Sequence, residues 1–368
     1  MLGLGVVSLL LGVAAPSASP PPIRLAPREE GSPERVQQLA TWTPGDISCG
    51  NGETLPGSLI NAPIPQRLRR STSLSAPITL EFTLGPEGRA MSIATAEGSQ
   101  LSSRAFDLPP ALAGSALPTF ATPQQCRVTF EETMGPLEEA SLEDLVRMRA
   151  YNRSVRVPSE AWQRIVPGDC SEKPRPRPLT LGYPDFRGLP KPQGDRNWVF
   201  LSYDTDADGR PTNLEIVESS GSSELKTQAT EAVARSQFTE GNRTGCLRYF
   251  WTGAGVVSEP ERLDLDSYGD QPEACDADDK WAREPVLRYP ETYRRRGIEG
   301  WVVMRYDVAP WGETGNIRVI DSQPTDDLGR FAVSVLNSAQ YKEQEAGLTG
   351  CITRVRFRLP APAVEEDE

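Results

Sequence analysis

The sequence predicts an α+β fold made of three tandem β-β-α-β modules, each closed by one disulfide within the module. Two observations lead to this prediction. Six cysteines fall into three pairs with almost equal spacing, and strand, turn and helix patterns recur between the members of each pair. The pairs are Cys49 with Cys126 (77 positions), Cys170 with Cys246 (76), and Cys275 with Cys351 (76).

The spacing of the cysteines favours one disulfide pairing over the alternatives. Six cysteines permit 15 pairings, and equal spacings favour the in-order pairing within each repeat. Paired cysteines are typical of exported proteins, because disulfides persist in oxidising compartments such as a bacterial periplasm. In the chain-entropy model, a loop of about 77 residues gives about 4.5 kcal/mol of stability per disulfide.

The third module shows the pattern most clearly. Alternating apolar residues predict a strand over 302–308, a turn at 311–315 and a second strand over 317–319. Apolar residues then recur at intervals of three and four, which predicts a helix over 328–339 with one apolar face. Alternation returns over 351–359, which is the last strand.

The other two modules repeat this order with decreasing clarity. Residues of the second module lie 103 positions before their counterparts in the third, as Trp198 does before Trp301, and its helix is predicted over 225–233. The first module keeps a strand-turn-strand pattern over 78–93, at an offset of 121 from the second, together with its cysteines. We therefore expect one module that was copied twice.

The predicted modules cover residues 45–136, 167–258 and 271–360, and the first of them is degenerate. Residues 137–166 between the first two modules have the pattern of a helical linker. Residues 361–368 form an acidic tail, which we expect to be solvated.

The N-terminal segment predicts export. Residues 1–18 resemble a secretory signal peptide, with an apolar stretch followed by small residues, and a Pro-rich linker follows over 19–44. No Lys or Arg precedes Arg24, so an uncleaved membrane anchor is the alternative. The apolar run of about 15 residues is short of the ~20 that a spanning helix needs. We expect a periplasmic protein.

Composition limits the classes of partner and of chemistry. The net charge of −12 argues against nucleic-acid binding, which needs a basic patch, and against adsorption to anionic lipid surfaces. The chain has no histidine, which excludes Ser-His-Asp catalysis and histidine-ligated metal sites, and paired cysteines leave no thiolate nucleophile. We expect no cofactor and no catalysis, with a carboxylate- or serine-based enzyme as the minor alternative.

One motif fits a calcium-binding loop. Asp204, Asp206, Asp208 and Glu215 have the spacing of the acidic ligands in that loop. Strands flank the segment where helices would be expected, and the third module does not repeat the acids. The favoured interpretation is a polar hairpin turn without metal.

The third module also resembles a known family, the C-terminal domain of the energy transducer TonB. The resemblance rests on Tyr289-Pro290, Glu299-Gly300, the strand over 302–308, a glycine turn, and Ser322 with Pro324 before the helix. The second module is similar to a lesser degree, through Tyr183-Pro184, Tyr203-Asp204 and Gly209. The first keeps only its strand-turn-strand pattern and its cysteines.

The resemblance implies a periplasmic fold whose exposed sheet edge accepts an extended peptide strand, which in energy transducers is a segment of an outer-membrane transporter. Carried over to this chain, the partner-binding edge is the last strand of the third module, with 247–251 as its equivalent in the second. The edge residues are Thr353, Arg354, Val355, Arg356, Phe357, Arg358 and Leu359. Their arginines would either contact an acidic partner or phosphate, or protect the edge from aggregation.

The expected function is therefore that of a non-enzymatic periplasmic protein that binds other envelope proteins by strand addition. A structural role, such as peptidoglycan association or self-assembly, is the alternative. The sequence leaves the oligomeric state open. Energy transduction is not implied, because three domains follow a short Pro-rich stretch where a transducer has a long spacer.

The pairing of the cysteines is directly testable. We expect proteolysis and mass spectrometry under non-reducing conditions to find peptides linked through 49–126, 170–246 and 275–351. A link between cysteines of different repeats would contradict the module boundaries.

Overall fold

The computed structural model describes residues 37–360, with gaps at 69–72, 153–154 and 156. The coarse prediction of mixed α and β structure with three disulfides is confirmed. The bridges join Cys49 to Cys126, Cys170 to Cys246, and Cys275 to Cys351.

The predicted signal peptide (1–18), the Pro-rich segment up to residue 36 and the acidic tail (361–368) lie outside the described residues. Among the residues that the structure does describe, no helix has the length and apolar character needed to cross a membrane.

The first sheet contains seven of the described strands. They are β1 (Gln38–Pro44), β2 (Ile47–Cys49), β3 (Thr54–Leu55), β4 (Gln66–Leu68), β5 (Ile78–Leu84), β6 (Ala90–Thr95) and β7 (Gln124–Pro136), with helix α1 (Leu108–Ala113) before β7. β7 pairs with β5 along one side and with β1 and β2 along the other. β1 lies in the segment 19–44, which we predicted as a Pro-rich linker. It pairs with β7 along a side that a β-β-α-β unit alone would leave free.

Two helices follow, α2 (Leu142–Tyr151) and α3 (Ser159–Ile165), in the segment predicted as a helical linker. The hydroxyl of Ser141 accepts a hydrogen bond from the Asp144 amide at 3.1 Å and caps the start of α2. One face of α2 packs with α3, and the other packs against Trp198 and Phe200 of the second sheet.

The segments that carry the second and third sheets share an order of elements, except that the third has an additional helix, α5. The second segment contains β8 (Pro178–Thr180), β9 (Trp198–Thr205), β10 (Pro211–Ser219), α4 (Ser223–Ala234), β11 (Gln237–Phe238) and β12 (Arg243–Trp251). The third contains β13 (Trp281–Arg283), α5 (Glu291–Arg296), β14 (Gly300–Val308), β15 (Thr314–Gln323), α6 (Leu328–Asn337), β16 (Gln340–Tyr341) and β17 (Leu348–Phe357). β8 pairs with β11, and β13 with β16, in two small two-stranded sheets. The three main strands lie in the orders β10-β9-β12 and β15-β14-β17, all antiparallel, so β12 and β17 are edge strands in the described chain.

The same backbone irregularity occurs at one point of each sheet. In the described residues, the non-glycine positions with a left-handed φ are Ser92 (51°), Asn213 (50°) and Asn316 (49°). They are related by the sequence offsets of 121 and 103, and each lies in the second strand of its hairpin near a register shift. The side-chain amides of Asn213 and Asn316 both donate to an aspartate on the preceding strand, at 2.9 and 2.7 Å.

The three sheets do not have three independent cores. Buried residues of the first and third sheets form one hydrophobic cluster, whereas the second sheet and α4 have a cluster of their own. Short backbone bridges connect the sheets, including those between Ile93 and Thr325 and between Val257 and Ile298. The described residues from 37 to 360 accordingly belong to one compact unit.

A buried ion pair lies where the three sheets meet. Arg296, at the end of α5, donates to both carboxylate oxygens of Asp107, at the start of α1, over 2.8 and 2.6 Å. Its remaining donors reach the carbonyls of Gly194 (3.2 Å) and Ala62 (2.9 Å). Both side chains are buried, with 0% and 4% exposure. Burial acts to lower the pKa of Arg296, yet the charge of Asp107 raises it above the ordinary value.

Close backbone contact at the same place depends on two glycines. A Cβ atom on Gly194 would lie 2.4 Å from the Cα of Gly114, so neither position has room for a side chain without movement of the backbone. This contact brings the carbonyl of Gly194 within reach of Arg296.

We predict that Asp107→Ala lowers the free energy of unfolding by about 3–5 kcal/mol, because it leaves the Arg296 charge buried and unpaired. Urea unfolding followed by tryptophan fluorescence measures the change. Arg210→Ala is the control, because it removes an exposed ion pair with Asp208 and should cost about 1 kcal/mol or less. Equal effects of the two variants would contradict the importance of the buried pair.

Candidate partner-binding strand edges

The predicted partner-binding residues lie at the edge of the third sheet. Residues 353–357 belong to β17, and Arg358 and Leu359 follow it directly. β17 pairs with β14 along one side, and no other described strand pairs with its outer side. The role of this edge in binding stays a prediction.

The hydrogen-bond pattern shows which β17 amides point outward. The Ile352 amide donates to the Gln271 side chain at 2.7 Å, away from β14. Since bonded and non-bonded pairs alternate along an antiparallel ladder, the amides of Arg354 and Arg356 also point outward, while that of Val355 faces β14. Substitutions that test this edge therefore belong at Arg354 and Arg356.

A segment of the same chain lies over this part of the third sheet. Arg354 donates to the Leu263 carbonyl and lies over the Trp301 ring at 5.3 Å. Arg356 pairs with Glu259, with its Nε 3.0 Å from one carboxylate oxygen. Partial burial acts to raise the pKa of Glu259, but the hydrogen bond and charge of Arg356 lower it. Arg358 lies 4.0 Å from the same carboxylate, so all three predicted edge arginines have partners within the chain.

The edge of the second sheet, β12, is more open. The Thr252 amide donates to the Asn197 carbonyl at 2.8 Å, so by the same alternation the amides of Leu247 and Tyr249 point away from β9. Neither amide has a hydrogen-bond partner among the residues that the structure describes. These are unpaired donors on an accessible strand.

Two adjoining cavities lie along β12, with volumes of about 880 and 1120 Å³. Both are lined by Arg149, Leu247, Arg248 and Tyr249. We call this continuous depression the β12 trough. It extends along the outer edge of the strand, on the side where the free amides point.

Aromatic rings line both faces of the β12 trough. On the α4 side, Tyr183 and Phe186 are 57% and 37% exposed. On the α2 side, the Tyr249 ring stacks on Phe200 and on Trp251, with centroids 5.0 and 5.4 Å away. The trough therefore has aromatic walls, which suit the apolar side chains of an extended peptide.

The trough is also basic. Arg149 donates to the Tyr249 hydroxyl at 2.7 Å, and Arg248 lies over the rings of Tyr183 and Phe250 at 5.5 and 5.3 Å. Lys191, Arg196 and Arg175 also line it, and no carboxylate is among the described lining residues. This concentration of positive charge lies in a chain whose net charge is −12.

The calcium-like motif forms the turn between β9 and β10. Asp204 accepts hydrogen bonds from the Gly245 amide (3.0 Å) and from Asn213 (2.9 Å), and Asp206 accepts from two amides within the turn. The described residues include no cluster of acids, cysteines or histidines placed to hold a metal. Asp307 repeats the bonds of Asp204, through Gly350 and Asn316, so these oxygens shape a hairpin.

Sequence reasoning identified both edge strands but missed the trough. The strand predicted over 247–251 lies within β12. Tyr183 was noted for its Tyr-Pro motif, not for its contact with Arg248. Arg149 lies in a different predicted segment, so no local pattern could connect it with Tyr249, 100 positions away.

Comparison with known proteins supports the resemblance seen in the sequence. The family model described as Gram-negative bacterial TonB protein C-terminal matches residues 193–249 and 285–359. The first match includes β9, β10, α4 and most of β12, and the second extends from before α5 to the end of β17.

A curated relative gives the same indication. The chain is 31% identical over 71 residues to a protein named Protein TonB from Klebsiella pneumoniae. This match includes 19% of the chain and 29% of the length of the relative. The chain therefore contains a TonB C-terminal-like domain, matched in two segments.

Proposed function

We propose that this chain is a non-enzymatic, TonB-like envelope protein that binds partner proteins by β-strand addition. The observation that carries the proposal is the open edge of β12, where the amides of Leu247 and Tyr249 face the trough. An added strand would supply carbonyl acceptors for these donors, and the two cavities would take its side chains.

The described architecture supports β12 as the principal acceptor edge. The equivalent edge of β17 already has a hydrogen bond to its Ile352 amide, and its arginines bond to the segment before it. A strand that adds to β17 would first have to displace these contacts. At β12 the amides of Leu247 and Tyr249 have no such contact with the described residues.

The proposal includes location and organisation. The protein acts in the periplasm after export, its three β-β-α-β units are tandem copies within 45–136, 167–258 and 271–360, and its partners are envelope proteins such as outer-membrane transporters. The family matches support the envelope role at a coarse level. The repeated left-handed residues at 92, 213 and 316 support the tandem copies.

We predict that Tyr249→Pro weakens partner binding by about tenfold, because it deletes an outward amide of the edge strand without removing a bond to β9. The probes are synthetic ten-residue peptides from the plug segments of outer-membrane transporters, measured by isothermal titration calorimetry. Tyr249→Ala is the matched control, since it removes the same ring but keeps the amide.

A second set of peptides tests the backbone geometry from the partner's side. N-methylation of every other peptide amide should abolish binding in one register and have little effect in the register shifted by one residue, because an edge strand pairs through alternate residues. If Tyr249→Pro and Tyr249→Ala bind equally well and both methylated registers bind, strand addition at β12 is wrong.

A further inference from the structure

We infer that the β12 trough selects an acidic extended peptide, in which carboxylate side chains alternate with apolar ones, on a partner protein. This inference rests on the proposed strand addition and adds the chemical class of the partner. The charge and the aromatic content at the edge of the second sheet differ from those at the edge of the third.

The two edges differ at equivalent positions. The second cysteines of the two modules are 105 positions apart, so Tyr249 and Trp251 occupy the places of Arg354 and Arg356. In β17 the arginines belong to the edge strand itself and bond to the segment at 259–263. In β12 those places are aromatic, and surrounding elements supply the basic groups.

The basic groups of the trough are positioned for an incoming strand. Side chains of an added strand point alternately to its two faces. On the α4 face they would meet the guanidinium of Arg248, which lies over two rings, and on the α2 face that of Arg149, which is bonded to Tyr249. A guanidinium held in this way can bind a carboxylate with little further loss of side-chain freedom.

The charge of the trough is not balanced locally. Neither Arg248 nor Lys191 has a carboxylate partner among the described residues, whereas Arg356 is paired with Glu259. With no acidic side chain among the described lining residues, the trough attracts carboxylates. The surrounding net charge of −12 makes this attraction specific to the trough and not a general property of the surface.

The test uses two synthetic ten-residue peptides that differ only in charge. One alternates glutamate with valine and the other alternates glutamine with valine. We expect the glutamate peptide to bind the full chain about tenfold more tightly in 50 mM salt, and the difference to shrink in 500 mM salt because the charges are partly exposed. Fluorescence anisotropy with end-labelled peptides gives both affinities.

Variants then locate the source of the preference. The double variant Lys191→Gln/Arg248→Gln should reduce the preference for the glutamate peptide, measured as the ratio of the two affinities, to about twofold or less. Arg210→Gln is the control, because it removes a basic group in an exposed turn outside the trough lining and should leave the preference unchanged. An unchanged preference in the double variant would overturn the assignment of the selection to Lys191 and Arg248.

The outcomes separate the two proposals. If both peptides bind equally and Tyr249→Pro weakens both, strand addition holds and the charge selection is wrong. If neither peptide binds, strand addition at this edge fails and the inference fails with it.

The chain's own acidic tail, 361–368, has similar chemistry. If a chain ending at residue 360 binds the glutamate peptide tenfold more tightly than the full chain, the tail is the occupant, and the assignment to a partner protein is overturned.

Discussion

The arrangement of the described chain depends on the buried pair of Asp107 and Arg296. A guanidinium taken out of water is stable only when its charge and its donors are satisfied. Here the first sheet region supplies a carboxylate and the Ala62 carbonyl, and the second sheet region supplies the Gly194 carbonyl. Other relative placements of the sheets would leave some of these groups unpaired. The pair therefore favours one assembly of three sheets over the alternatives.

That assembly determines which sheet edges are available to a partner. The first and third sheets share a core, and the long strand β7 has neighbours on both sides. In the third sheet, Leu265 and Tyr268 pack against the face that carries Trp301 and Ile352. The second sheet lies between α4 and α2, and its outer strand opens into the trough. Units with similar element order thus differ in what their last strands can contact.

The exposed backbone of the two edge strands, β12 and β17, is surrounded by different side chains. Charged side chains on an edge discourage unwanted pairing, and the arginines of β17, held by intramolecular bonds, are consistent with that protective role. Tyr249 and Trp251 of β12 stack on their own sheet, and the outward amides of Leu247 and Tyr249 have no hydrogen-bond partner among the described residues. An edge strand with unpaired amides can pair with unrelated chains unless a partner covers it. The aromatic and basic surroundings of β12 therefore point to binding.

The sequence by itself determined the local features of this protein: the in-order cysteine pairs, the alternation that gives β9, β14 and β17, the apolar face of α6, and the turns at the same offsets. Each of these features leaves a periodic or spaced pattern within one module. Only the tertiary structure decided the short strands β2, β3 and β4, the shared core, the pair between residues 189 positions apart and the basic trough. These features depend on contacts between side chains that are distant in sequence, and such contacts leave no period or spacing that a single sequence can show.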